Sequence, residues 1–309
     1  MNMVEKLLEN VESVVVGKNN VAKLILTAML AEGHVLIEDV PGVGKTTLAN
    51  AFARSMDCEF RRIQFTPDTM PGDVVGSSVF NFETHEFQYV AGAIMGNIVL
   101  ADEINRTSPK TQASLLEAMG EGQVTVDGIK RELPYPFFVV ATQNPVAQRG
   151  TYYLPESQLD RFMLKLSVGY PDVAESAEIV KRQLSGKVVK ALENIAGLED
   201  WKALIKEADK ITIDDKLIDY AAEVVEATRH DDRIMIGASP RALISWIKAA
   251  KAYTYVDNRE FVTPDDLKEL APYCLCHRLM LKQSLVDETK ESRKVLGEIL
   301  GKVKVPVFK

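Results

Sequence analysis

Pro41-Gly42-Val43-Gly44-Lys45-Thr46-Thr47 follows the apolar run at 35–37 and leads straight into Leu48-Ala49-Asn50-Ala51-Phe52-Ala53. A buried strand, a glycine loop ending in Gly-Lys-Thr, and a helix start, in that order, form the opening unit of a parallel α/β sheet that binds phosphate. Glycines let successive backbone N–H groups converge on a polyphosphate, and the helix N-terminus adds its positive dipole end. In that geometry the loop backbone from Pro41 through Gly42, Val43 and Gly44 to Thr47 cradles ATP. Lys45 reaches the β- and γ-phosphates, and the Thr46 hydroxyl takes one position on Mg²⁺. The full pattern wants glycine at position 39, where this chain carries Asp39.

At 309 residues the chain has room for about two domains. Apolar strand candidates at 35–37, 60–65, 98–101, 137–141 and 163–168 alternate with amphipathic helices, which reads as a parallel five-stranded sheet. Past Gly169-Tyr170-Pro171-Asp172 the strand signals fade. There, Ser239-Pro240 and Thr263-Pro264-Asp265-Asp266 mark helix starts, and Leu243, Trp246, Ile247 and Ala250 share one helical face. The expected division is an α/β nucleotide-binding core over 1–170 and an all-helical lid over 171–309. A net charge of −7 argues against a dedicated nucleic-acid surface. Three cysteines are too few for a disulfide framework and suit a reducing compartment. Glu5, Glu9 and Glu12 interrupt the apolar start, and no apolar run approaches membrane-spanning length, so a cytoplasmic protein without membrane insertion is expected.

The second motif lies 57 residues beyond Lys45, where the apolar run 98–101 ends in Asp102-Glu103. An acidic strand end beside the phosphate loop is where ligands bind in a parallel sheet. Asp102 would hold Mg²⁺, and Glu103 would polarise the water that attacks the γ-phosphate. The run 137–141 ends in Thr142-Gln143-Asn144, and Asn144 would face the γ-phosphate if its strand neighbours that of Asp102. Arg161 precedes the last core strand, where it either reaches a neighbouring subunit's nucleotide or forms a surface pair with Asp160. Arg106 is a second candidate for phosphate or interface contacts. Arg61-Arg62 and Lys130-Arg131 read as solvated faces or subunit contacts. Cys274-Leu275-Cys276-His277 invites a metal reading but has no second ligand pair, so buried helical cysteines are expected.

Glu38-Asp39-Val40-Pro41-Gly42-Val43-Gly44-Lys45-Thr46, Ala101-Asp102-Glu103-Ile104-Asn105-Arg106 and Ala141-Thr142-Gln143-Asn144-Pro145 resemble the AAA+ ATPases of the MoxR family. So do Gly150-Thr151-Tyr152-Tyr153-Leu154-Pro155-Glu156-Ser157-Gln158-Leu159-Asp160-Arg161-Phe162 and Gly237-Ala238-Ser239-Pro240-Arg241. The blocks occur in the family's order, and Asp39 is itself familiar there. The resemblance implies that Asn144 is sensor 1, Arg161 the arginine finger, Arg241 the sensor-2 arginine, and Val16-Gly17 the backbone contact to adenine. It also implies an insert at about 77–93 and a hairpin at about 122–137, where Asp127-Gly128 independently reads as a tight turn. By the same resemblance the chain forms a homo-oligomer, a six-membered ring, and partners a von Willebrand factor A domain protein in chaperone-like maturation of enzyme complexes. The rival readings are a magnesium-chelatase-type, transcription or helicase motor, and a nucleotide-gated scaffold with little turnover. The chain lacks the Gly-Ala-Phe-Thr-Gly-Ala loop of the transcription class, and a pure scaffold needs none of Glu103, Asn144 and Arg161.

Overall fold

The computed structural model describes residues 2–40, 42–145, 151–184, 192–283 and 288–307. Five strands form the central sheet in the order Phe60–Gln64, Ile98–Asp102, Phe138–Gln143, Val35–Glu38 and Leu164–Leu166. Ile98–Asp102 runs parallel to both Phe60–Gln64 and Phe138–Gln143, which in turn runs parallel to Val35–Glu38. All five match the runs expected from sequence to within two residues. The central strands are apolar almost throughout because helices cover both faces of a parallel sheet. Leu36, Val99, Leu100, Val139 and Ala141 are fully buried. Phe60–Gln64 lies at the edge, and there Arg61 and Arg62 are exposed.

Two antiparallel hairpins stand outside the sheet. Gly76–Asn81 pairs with Glu86–Ala91, and Gln123–Val126 pairs with Ile129–Glu132. The second closes on Asp127 and Gly128 at φ 52° and 77°, left-handed at both positions as the Asp-Gly signal requires. Phe80, Phe82 and Phe87 pack edge-to-face on the first hairpin, and the Arg131 guanidinium sits 3.7 Å from the Tyr89 ring centroid, joining the two.

The described chain divides into two compact units, each built from discontinuous segments. One comprises Met1–Ala22, His34–Leu154 and Leu166–Lys202; the other comprises Lys23–Gly33, Pro155–Lys165 and Ala203–Lys309. The helix Val173–Leu184 groups with the first unit. The second unit is helical around Trp246, Ala249, Ala250, Leu267 and Leu270, all fully buried, and the Trp246 indole N–H donates to the Leu267 carbonyl at 2.9 Å. Ser239 caps Pro240–Val256, and Thr263 with Asp266 completes a capping box on Pro264–Leu275. The unit also carries a short antiparallel ribbon, Ile234–Ile236 with Met280–Leu281, too short to leave a readable alternation. Cys274 and Cys276 are buried, and burial pushes both thiols up to about 12. No helix among the described residues is long and apolar enough to cross a membrane.

Candidate active site

The helix Lys45–Ser55 starts directly from the glycine loop, with Gly44 as its N-cap at φ 91° and Gly42 at φ 86°. Both lie in the left-handed region, and a Cβ at either would meet nothing within 4 Å. Backbone conformation alone therefore demands glycine here, and the space above the loop is open, as a phosphate cradle needs. Val43, Lys45 and Thr46 are half-buried and Thr47 is exposed; Pro41 lies outside the described residues.

Position 39 makes no such demand, since its backbone is not left-handed. The buried Asp39 carboxylate instead accepts from Ser167 Oγ at 3.0 Å and from the Gly169 N–H at 2.7 Å on Oδ2, and from the Val40 N–H at 2.9 Å on Oδ1. It fastens the root of the loop to the segment following the last core strand. Its carbonyl accepts from Lys45 Nζ at 2.9 Å. Partial burial pushes the Lys45 pKa down from its ordinary value, opposed by the carboxylates of Asp39, Asp102 and Glu103.

Asp102 ends its strand beside Gln64 in register, and the chain then turns sharply at Glu103, which has φ 57°. Two hydrogen bonds from the neighbouring strand fix this corner. The Glu103 N–H donates to Thr142 Oγ1 at 2.9 Å, and the Thr142 hydroxyl donates to Asp102 Oδ1 at 2.7 Å. Asp102 Oδ2 pairs with Arg62 Nη2 at 2.7 Å. Glu103 Oε2 accepts from Arg106 Nη1 at 2.8 Å and from Gln64 Nε2 at 3.2 Å. Sequence reasoning missed Thr142 and Gln64 and took Arg62 for a solvated or interface residue. The available signal was their place at the ends of strands flanking 98–101, which becomes legible only once strand order is known. Asn144 follows the same sheet edge, half-buried, with its carbonyl accepting from Asn105 Nδ2 at 3.1 Å.

Val16 and Gly17 lie in the same unit. Gly17 has φ 71°, and a Cβ there would fall 1.7 Å from Glu175 Oε1. Lys18 Nζ ties this corner to Glu175 at 3.6 Å and to the Tyr170 carbonyl at 3.3 Å.

Arg161 and Arg241 belong to the second unit. Arg161 follows the short helix Glu156–Leu159 and is half-buried. Arg241, exposed in the first turn of Pro240–Val256, places Nη1 3.9 Å from Asp160 Oδ2. The Ser239 hydroxyl also reaches the Asp160 carboxylate, at 2.9 Å to Oδ1.

Residues 34–164 match the family described as "ATPase family associated with various cellular activities (AAA)", and residues 226–299 match the AAA lid domain. Over 98% of its length the chain is 50% identical to YeaC of Bacillus subtilis, a protein of uncharacterised function, spanning 94% of it. It is 37% identical to the chaperone MoxR1 of Mycobacterium tuberculosis, over 99% of this chain and 83% of that protein. A crystal structure from Cytophaga hutchinsonii, assigned as an ATPase, superposes with a TM-score of 0.90 at 37% identity, over 99% of this chain and 96% of that one.

Proposed function

Because the chain belongs to the MoxR family of AAA+ ATPases, which couple ATP hydrolysis to chaperone-like remodelling, we propose the following division of labour among its residues. Gly42, Val43, Gly44 and Thr47 present backbone N–H groups to the phosphates, Lys45 neutralises the β- and γ-oxygens, and Val16-Gly17 meets the adenine. Thr46 and Asp102 would hold Mg²⁺, a fit supported by hard oxygen donors beside an open loop with left-handed glycines. Bound there, Mg²⁺ would offset negative charge on the reacting phosphates.

Glu103 accepts a proton from the attacking water and orients it, with Asn144 as the second anchor. Arg161 stabilises charge on the γ-phosphate of an adjacent subunit, and Arg241 answers nucleotide from the lid. A site completed in trans requires assembly, and head-to-tail contacts that close make a ring; six subunits are proposed. The same proposal includes a von Willebrand factor A domain partner, residence in the cytoplasm, and a functional division into core and lid near 170.

One observation carries this reading. Asp102 and Glu103 meet at a strand end that Thr142 ties together by two hydrogen bonds, in the same compact unit as a loop whose conformation only glycine takes easily. Lys45→Ala should abolish ATP binding, whereas Glu103→Gln should bind ATP normally and stop hydrolysis. Equilibrium nucleotide binding beside steady-state phosphate release distinguishes them. Specific activity should also rise with protein concentration as subunits assemble. Full turnover in Glu103→Gln removes that residue as the base, and negligible turnover of the assembled wild type favours the scaffold reading.

A further inference from the structure

The Cys274-Leu275-Cys276-His277 segment drew attention in the sequence, yet ATP chemistry leaves it without a role. After Pro264–Leu275 a single tight turn, Cys276–Arg278, directs the next two side chains inward. His277 and Arg278 retain only 8% and 4% exposure. Together they hold the carbonyls of the residues on either side of Arg161. His277 Nε2 donates to the Phe162 carbonyl at 3.0 Å. Arg278 Nη2 donates to the carbonyls of Phe162 at 2.8 Å and Asp160 at 3.0 Å, and Arg278 Nε lies 3.0 Å from Asp160 Oδ1. Nη1 donates to the Cys274 carbonyl at 2.9 Å, which ties the fork back to its own helix.

We propose that Arg278, assisted by His277, is a positioning residue for catalysis: the pair clamps the backbone of Asp160 and Phe162 so that Arg161, between them, presents its guanidinium at a fixed place. This inference rests on the reading of Arg161 as a trans-acting finger. A buried guanidinium gains little stability over an apolar side chain of similar volume, because desolvation offsets its pairing. What this one achieves is geometric, since three of its contacts fall on residues 160 and 162. The Asp160 carboxylate that it pairs with also receives Ser239, the cap of the helix bearing Arg241. Both candidate arginines of this unit are thus referred to one residue. Burial and the Arg278 charge push the His277 pKa well below its ordinary 6.5, so the ring stays neutral with one N–H, which it gives to Phe162.

The geometry predicts a defect in trans. Displacing a catalytic group by about 1 Å lowers a rate by roughly a hundredfold. Arg278→Gln should therefore bind ATP with unchanged Kd and KM while kcat falls by about ten- to a hundredfold. Mixed with Glu103→Gln protein, it should regain activity, because a mixed ring can pair its intact Glu103 with an intact Arg161 and Arg278 on the next subunit. A defect confined to its own nucleotide or lid would not be rescued this way. Arg161→Ala and its own mixture with Glu103→Gln run in parallel. If Arg161→Ala hydrolyses normally, the finger reading falls and this proposal with it. If Arg161→Ala is inactive and complemented while Arg278→Gln is fully active, or inactive and not complemented, only this proposal is overturned. Should Arg278→Gln melt far below the wild type, Arg278→Lys, which keeps the charge without the fork, undergoes the same comparison.

Discussion

Lowering the pH from 8 to 5 should remove about 2 kcal/mol of stability through one side chain, His34. The ring is nearly fully buried, edge-on to Phe137 at 5.6 Å. Its Nδ1 accepts the Val139 N–H at 3.1 Å and its Nε2 donates to the Met119 carbonyl at 3.2 Å, so the native state holds one neutral tautomer. A proton on Nδ1 would face the Val139 N–H, and burial pushes the pKa down to about 4 from an ordinary 6.5. Between those values the unfolded chain binds the proton and the native state does not. The stability is therefore complete above about pH 6.5 and is lost as pH falls through the window toward 4. At 1.36 kcal/mol per unit the gap amounts to about 3 kcal/mol in all, of which roughly 2 has gone by pH 5. Urea unfolding of nucleotide-free protein at both pH values, followed by circular dichroism, measures the loss in the wild type and in His34→Gln. The glutamine can still accept from Val139 but does not titrate, so His277 and the surface carboxylates cancel in the difference. Equal acid sensitivity of the two proteins would refute the reasoning.

Two substitutions probe the loop and the acid corner. Asp39→Gly, which introduces the common phosphate-loop glycine, should lower stability in urea by about 2 kcal/mol, because the Ser167 hydroxyl and the Gly169 N–H lose their carboxylate acceptor and the chain gains freedom. Its ATP affinity should fall far less than that of Lys45→Ala. Thr142→Val keeps the shape but removes the hydroxyl that joins Asp102 to the Glu103 N–H; phosphate-release titrations should show kcat lowered or Mg²⁺ demand raised by about ten- to a hundredfold, with nucleotide still bound.

What could be read in the chain and what could not divide along physical lines. Buried parallel strands are apolar on both faces, so 98–101 and 137–141 announced themselves, and the helix starts at Ser239 and Thr263 were visible through their caps. Gly42 and Gly44 were legible because backbone conformation restricts those positions to glycine. Contacts set by strand order were not. Arg62 reaches Asp102 and Gln64 reaches Glu103 because the 60–64 strand neighbours 98–102, a fact no local pattern encodes. The same holds for Asp39, whose carboxylate partners Ser167 and Gly169 lie more than a hundred residues away, and for His277 and Arg278, which hold the carbonyls of Phe162 and Asp160 beside a segment that looks in sequence like a fragment of a metal site. Lys23–Gly33 joins the second unit despite lying near the start of the chain, which no composition shift foretells.

The acid corner also limits how the proposed site can assemble. Three carboxylates, Asp39, Asp102 and Glu103, act on Lys45, and Arg62 and Arg106 supply two further positive charges. Arg62 and Arg106 are each nearly half exposed, at 48% and 45%, so each pair contributes at most about 1 kcal/mol. Such pairs orient the carboxylates yet are weak enough that the Mg²⁺ proposed for Asp102 would displace them. Release of Arg106 would free Glu103 for water while placing a guanidinium near the incoming phosphates. Thr142 fixes the corner independently of Arg62, because its bonds run to the Glu103 backbone and the Asp102 oxygen that Arg62 does not use. Removing either arginine should therefore alter the affinity for Mg²⁺ and nucleotide more than it alters folding, whereas removing the threonine hydroxyl should disturb the chemistry itself.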